Sequence, residues 1–193
     1  MVMVRVFTHA ACLGHRTPPG YPEKPERLAS VMARLREGGW TIEEIEENAK
    51  EEAAGAATRD AVLAVHDEAY VARFEHAVSR GDSLLDSADN PLSSGPAGTW
   101  QAAWAAVSAT LAAADWVAGG GDRTALAAVR PPGHHAERAK AMGFCFFNNV
   151  AVAAEHLRRH HGAARVAIFD FDVHHGNGTQ HSFEPRADVL YAS

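Results

Sequence analysis

Residues 165 to 178 read RVAIFDFDVHHGNG and crowd acids and imidazoles into one short stretch. Side chains alternate across an extended strand, so Asp170, Asp172 and, if the extension continues, His174 share one face, while Phe169, Phe171 and Val173 share the other. A buried carboxylate without a partner costs on the order of several kcal/mol or takes up a proton, so this row needs a cation, hydrogen-bond donors or both. A metal ion satisfies it best; the plainer reading is a core strand whose acids pair with Arg or Lys. A second cluster lies upstream in RPPGHHAERAKAMGFCFFNN, residues 130 to 149. There Pro131, Pro132 and Gly133 fix the direction in which His134 and His135 project. Two imidazoles in a cleft can share proton transfer.

The elements that must position these groups follow from apolar spacing and turn residues. Arg165 to Asp172 reads as a buried parallel strand, since Val166, Ala167, Ile168, Phe169 and Phe171 form an apolar run, and Gly-Asn-Gly ends it in a loop. In open α/β sheets, ligands sit beyond the carboxyl ends of strands. Thr124 to Val129 is a second buried strand that runs into the His134–His135 loop, and residues 3 to 7 and 40 to 45 are further strands. Asp188 to Ser193 reads as a last one. A helix begins at Pro25, buries Leu28, Val31, Met32 and Leu35, and closes at Gly38 and Gly39. Residues 46 to 57 read as solvated connection, Thr58 as the cap of a short helix, and Asp67 as the cap of another that buries Tyr70, Val71, Phe74 and Val78 and ends at Gly81. His66 and His76 are read as surface or capping residues. The turn-rich segment 82 to 99 has the length of a functional loop and is read as an active-site rim or a passive surface loop. Residues 100 to 118 form an alanine-rich helix. Asn148 or Asn149 caps a helix through Val150, Ala153, Ala154 and Leu157, and the nearby His156, His160 and His161 are read as cations favoured by a helix carboxyl end rather than as ligands.

Size and composition bound the class. The 193 residues suffice for one α/β domain with a sizeable core, and 47% apolar with 22% charged residues is ordinary for a globular protein. A net charge of -6 argues against a sequence-independent nucleic-acid surface. Only Cys12 and Cys145 occur, so a disulfide framework is not expected and a reducing, cytoplasmic setting is. The amino-terminal apolar run is broken by Arg5 and too short for a signal core or membrane span. Twelve histidines are present, eight of them between His134 and His181, a clustering that supports a site over a scattered surface role.

With RPPGHHA, GFCFFNN and DFDVHHGNGTQ in this order, the sequence resembles the zinc-dependent histone deacetylase superfamily, which includes bacterial acetylpolyamine amidohydrolases and class II-like deacetylases. YPEKPERL at 21 to 28 and VHDEAYV at 65 to 71 fit the same family, with Tyr21 where His is usual. The resemblance implies an arginase-like α/β fold, a parallel sheet between two layers of helices. It implies Asp172 and His174 as zinc ligands, and His134 and His135 as the general base and acid pair. Asp170 would orient His134, and Asn177 would partner His135. Gly143 and Phe144 would form one wall of an acyl channel, and Asp89 would be the rim aspartate that holds substrate. Potassium would bind through Asp170, the backbones of Asp172 and His174, and Ser193, with a second site at the backbones of Phe183, Arg186 and Val189.

The implied reaction is hydrolysis of an acetyl or other acyl amide of a lysine side chain or polyamine by metal-activated water. The family's third metal ligand, an Asp, and its oxyanion-donating Tyr come from segments downstream of this strand. The 193 residues are therefore expected to be an amino-terminal portion of a single deacetylase-like domain, weak or inactive alone. Two alternatives are an arginase-like dimanganese hydrolase, disfavoured by the single DxDxH row, and a catalytically silent module that binds acyl amines. Neither direct nucleic-acid contact nor a membrane is expected; polyamine-type relatives often dimerise.

Overall fold

The computed structural model describes residues 3–45, 54–95 and 98–193. Three strands pair in parallel, β2 (Ile42–Glu44), β1 (Met3–Thr8) and β5 (Arg123–Ala127), with β1 in the middle. Two more, β6 (Val166–Phe169) and β7 (Val189–Ala192), form a separate parallel pair. Between β2 and β5 in sequence lies an antiparallel hairpin, β3 (Leu84–Leu85) and β4 (Ser87–Pro91). Among the described residues, α-helices flank these strands: α1 (Pro25–Glu37), α2 (Ala54–Leu63), α3 (Glu68–Arg80), α4 (Thr99–Ala118), α5 (Asn149–His160) and α6 (Asn177–Phe183). Parallel strands flanked by helices on either side make the three-layer α/β/α architecture expected from alternating strands and helices. Among the described residues, no helix is long and apolar enough to cross a membrane.

Helix α4 is the central packing element because alanine dominates its buried positions. Ala102, Ala103, Ala105, Ala106, Ala109 and Ala113 let α2, α5, β1 and β5 approach its backbone closely. On one side Val6, Cys12, Leu28 and Met32 form a small core against Ala105 and Ala106. On the other, Phe74 stacks on Phe146 with centroids 5.0 Å apart, and Phe147 meets Phe74, Trp100 and Trp104 edge-on. These rings anchor the segment GFCFFNN directly behind the candidate site.

Several local expectations change. Segment 82 to 99 is not wholly loop, since it contains the β3–β4 hairpin. Thr58 sits inside α2, buried, and does not cap it. Residues 46–53 lie outside the described residues, and the helix begins at Ala54, within the segment expected to be solvated connection. Val31 is exposed rather than on the buried face of α1. His66 is buried, not on the surface: Nδ1 donates to the Glu137 carbonyl at 2.9 Å, and Nε2 accepts from the Asn148 amide at 2.9 Å.

The largest departure concerns the strand at 165 to 172. The strand ends at Phe169, one residue before a last hydrogen bond from the Asp170 amide to Ala192 O, and the apolar face expected to be buried is open: Phe169 is 75% exposed, Phe171 88% and Val173 92%. Leu190 on β7 and Leu126 on β5 are exposed as well. Parallel strands normally bury both faces and pair on both edges. Among the described residues β5 pairs only with β1, and β6 only with β7, so the strands form separate pieces with an apolar edge region on each.

Candidate functional site

The β6 strand and the loop after β5 meet through a small set of hydrogen bonds. His134 Nδ1 donates to Asp170 Oδ2 at 2.8 Å, and His135 Nδ1 donates to Asn177 Oδ1 at 2.7 Å. With Nδ1–H donated to each of these oxygens, the lone pair of the neutral ring sits on Nε2. The two rings lie side by side with centroids 4.1 Å apart. Their partners differ in charge, a carboxylate beneath His134 and a neutral amide beneath His135, so the two imidazoles are chemically inequivalent. Asn177 is itself oriented, since its Nδ2 donates to Glu137 Oε1 at 2.5 Å.

Asp170 is the hub of this arrangement. Besides His134, it accepts the Asp172 amide at 3.2 Å and the Tyr191 hydroxyl at 3.1 Å. Partial burial pushes its carboxyl up, but these donors and the His134 ring together hold it below the usual carboxylate range. Gly176 is required by space rather than by backbone angle. A Cβ there would stand 2.5 Å from both Asp170 Oδ2 and the Tyr191 hydroxyl, and 3.1 Å from His134 Nδ1.

Asp172 and His174 lie next to this hub. Asp172 Oδ1 accepts the His174 amide at 2.8 Å and stands 3.0 Å from His174 Nδ1. The amide bond is the leading cause that holds the Asp172 carboxyl below its ordinary range. An oxygen and a nitrogen each about 2.0–2.1 Å from one tetrahedral zinc would be roughly 3.3 Å apart, so this pair fits two adjacent positions around one ion. His174 faces His135 with ring centroids 6.1 Å apart.

The opposite wall comes from the hairpin and GFCFFNN. Asp89 Oδ2 accepts the Gly143 amide at 2.7 Å, and Asn90 Oδ1 accepts the Phe144 amide at 2.9 Å. Burial raises the Asp89 carboxyl, and the Ser87 hydroxyl and Gly143 amide outweigh it, so it lies below the usual range. Gly143 and Phe144 both have positive φ, 56° and 65°, and a Cβ on Gly143 would collide with the His135 ring. The turn thus packs directly against His135. Tyr21 comes within 6.2 Å of the Phe144 ring, edge-on, from the loop that precedes α1.

Sequence reasoning missed four contributors. Arg130 is buried and donates Nε and Nη2 to the two oxygens of Glu23, both at 2.7 Å, and Nη1 to the carbonyls of Cys12 and His15. This knot pins the loop 9–22 to the root of the His134–His135 loop. His15 lies against it, buried, and burial together with the Arg130 charge pushes its pKa down to about 3. Tyr191, read only as part of a strand, donates to Asp170. A lone Arg immediately before Pro-Pro-Gly and a Glu in the PEKPE run were the only local signals for the first pair.

The expected potassium donors are distributed around the same region. The Asp170 amide donates to Ala192 O at 2.8 Å, which brings the end of β6 beside Ser193. Phe183 ends α6, Val189 begins β7 and Arg186 lies between, its amide donating to Phe183 O. A different set of groups converges elsewhere: Asp115 on α4 with His156 and His161 at the end of α5, three metal-capable side chains whose ligand atoms lie within 4.8 Å of one another. Residues read as simple helix-end cations therefore share one carboxylate.

Comparison with known proteins gives a consistent picture. The histone deacetylase domain family matches residues 21–193. A probable deacetylase of Archaeoglobus fulgidus is 39% identical over the whole chain, which spans 51% of that protein. The polyamine deacetylase HDAC10 of Homo sapiens is 38% identical over 89% of this chain and 25% of its own length. The crystal structure of the HDA15 HD domain superposes with a TM-score of 0.78 at 30% identity, covering 99% of this chain and 53% of that one. The chain thus spans about half, or less, of the relatives it matches. With a family match over most of its length and the same three-layer fold, the chain belongs to the histone deacetylase family.

Proposed function

We propose that the chain carries the proton-transfer half of a zinc-dependent amidohydrolase that removes acetyl groups from lysine side chains or polyamines. The observation that carries this reading is the paired imidazoles, His134 on Asp170 and His135 on Asn177, set against the Asp172–His174 pair. Asp172 and His174 would hold the metal, which when bound polarises the acyl oxygen and lowers the pKa of a water. The chain's own groups do the rest. With Nδ1 protons committed to Asp170 and Asn177, one Nε2 can take a proton from water, and a ring that carries a proton on Nε2 can pass it to the leaving amine. Asp170, held ionised by its donors, keeps His134 in the required tautomer. Gly143 and Phe144 would line the acyl chain, and Asp89, already fixed by the Gly143 amide, would receive the substrate at the rim. Potassium through Asp170, Asp172, His174 and Ser193, and at Phe183, Arg186 and Val189, belongs to the same proposal.

Catalytic zinc ordinarily has three protein ligands, and this row supplies two, both substantially exposed. The proposal therefore places the third ligand and the oxyanion donor in the part of the family domain that relatives possess and this chain does not match. The test measures zinc content and hydrolysis of a fluorogenic acetyl-lysine amide and of an acetylated polyamine. It compares the 193-residue chain with the same chain joined to the downstream half of the family domain. Turnover by the joined protein alone, lost on His135→Ala with zinc retained, is the expected result. A joined protein that holds zinc and binds the amide without hydrolysing it would instead make this a silent acyl-amine-binding module.

A further inference from the structure

Helix α5, 12 residues long, begins beside the histidine loop, where a Cβ on Gly133 would press on the Asn149 amide, and ends at His160. At 1.5 Å per residue that end is about 18 Å from the start. There His156 Nε2 and His161 Nε2 each stand 2.6 Å from the same oxygen, Asp115 Oδ1. Asp115 lies in the last turn of α4, and His161 is the C-cap of α5, with φ −113° and ψ 2°. The departure from helical geometry at His161 is what lets residues five apart in sequence reach one point.

The electrostatics of this point call for a cation. A carboxylate in the last turn of a helix opposes the helix dipole, and here the negative ends of two helices meet at it. The nearest permanent cations in sequence are committed elsewhere: Arg158 to Asp188 and Glu155, and Arg159 to Glu155. What remains at the point are two imidazoles and a carboxylate. Two nitrogen donors and one oxygen with open remaining positions suit a first-row divalent ion, zinc foremost. Ligands on one tetrahedral ion would be roughly 3.3 Å apart rather than 2.6 Å, an opening of under about 1 Å. Asp115 at 51% and His161 at 31% side-chain exposure have room to make it, whereas His156 at 14% is the fixed member. The His160 ring, 4.8 Å from that of His156, supplies a further imidazole nearby. His156 Nδ1 is buried without a hydrogen-bond partner, so the outer support that strengthens metal-bound imidazoles is absent on that side.

We propose that Asp115, His156 and His161 form a structural site for Zn2+ that clamps the carboxyl ends of α4 and α5 together, apart from the Asp172–His174 row. The site is independent of the catalytic reading above, and its test is built to remain so. Chelator-treated protein carrying Asp172→Ala and His174→Ala, which removes the other metal-capable pair, is titrated with Zn2+ by calorimetry, and its melting temperature is followed. We expect about one Zn2+ per chain and a higher melting temperature with zinc. Adding His161→Ala should weaken binding at least about tenfold and abolish the thermal shift, with an unchanged far-UV circular dichroism spectrum. Asp115→Asn, which keeps the hydrogen-bonding shape, should do the same. No zinc-dependent shift in the double variant, or undiminished binding after both further substitutions, would overturn the site and leave a hydrogen-bonded helix cap.

Discussion

Replacing Arg130 by Met should destabilise the fold by about 3–5 kcal/mol, the range seen when one partner of a buried ion pair is removed. Both partners are almost fully buried, with side-chain exposures of 4% for Arg130 and 5% for Glu23. Met would leave the Glu23 carboxylate without its two-point partner and the carbonyls of Cys12 and His15 without a donor. Against a total stability of roughly 5–15 kcal/mol, that loss is a large fraction. The assay is urea unfolding followed by circular dichroism and Trp fluorescence, with the folding free energy extrapolated to water. Two further results are expected if the reasoning is right. Glu23→Leu combined with Arg130→Met should recover much of the loss, because replacing both members by apolar groups removes the stranded charge. The single variant should also suffer less at pH 5 than at pH 7. His15 Nε2 is 3.4 Å from Glu23 Oε2, and without Arg130 it can take a proton and pair with that carboxylate. A loss below about 1 kcal/mol, or a double variant no better than the single, would refute the assignment of this knot as the anchor of the loop.

Three other perturbations follow from the same geometry. His15 and His66 are buried neutral, with pKa values pushed down to about 3 and about 4, chiefly by burial. The unfolded chain binds their protons first, so stability is fully present above about pH 6.5 and falls on acidification towards these values. By linkage each should cost about 2 kcal/mol between pH 7 and pH 5, measurable as a fall in the urea midpoint; a flat profile would contradict their burial. Gly176→Ala should push apart Asp170, Tyr191 and His134, costing about 1–3 kcal/mol in stability by overpacking. Its second sign would be loss of the His134 Nδ1 proton signal at low field in an NMR spectrum. Asp172→Ala should lower zinc bound to the catalytic row, measured in a His161→Ala background that silences the α4–α5 cluster; unchanged zinc there would remove Asp172 from the ligand set.

Much of the fold was legible because local pattern carries it. Apolar spacing and the Pro25 and Gly38 boundaries located α1, the Asn148–Asn149 pair marked the start of α5 with Asn148 proving to be its cap, and short apolar runs located β1, β5, β6 and β7. Asp170, Asp172 and His174 do share one neighbourhood, though through bends after β6 held by Asp170 and Asp172 side chains on the Asp172 and His174 amides rather than by strand alternation, and His134 reaches Asp170 from the Pro-Pro-Gly loop. Such signals lie within a few residues of each other, where backbone geometry alone fixes which side chains share a face.

Pairing across the chain was beyond that reach. Glu23 and Arg130 are 107 residues apart, Asp115 and His156 are 41 apart, and nothing near either carboxylate says which cation it will meet. His66 was read as a surface or capping residue; its burial follows from where Tyr70 and Phe147 pack. The open face of Phe169, Phe171 and Val173 was equally hidden, since an apolar run announces that a strand wants cover but not whether a neighbour supplies it. The sequence by itself determined the chemistry-bearing residues and the elements that carry them, because both are written in local spacing. Only the tertiary structure decided which distant groups share a proton, a charge or an edge, because those choices depend on how the strands and helices are brought together in space.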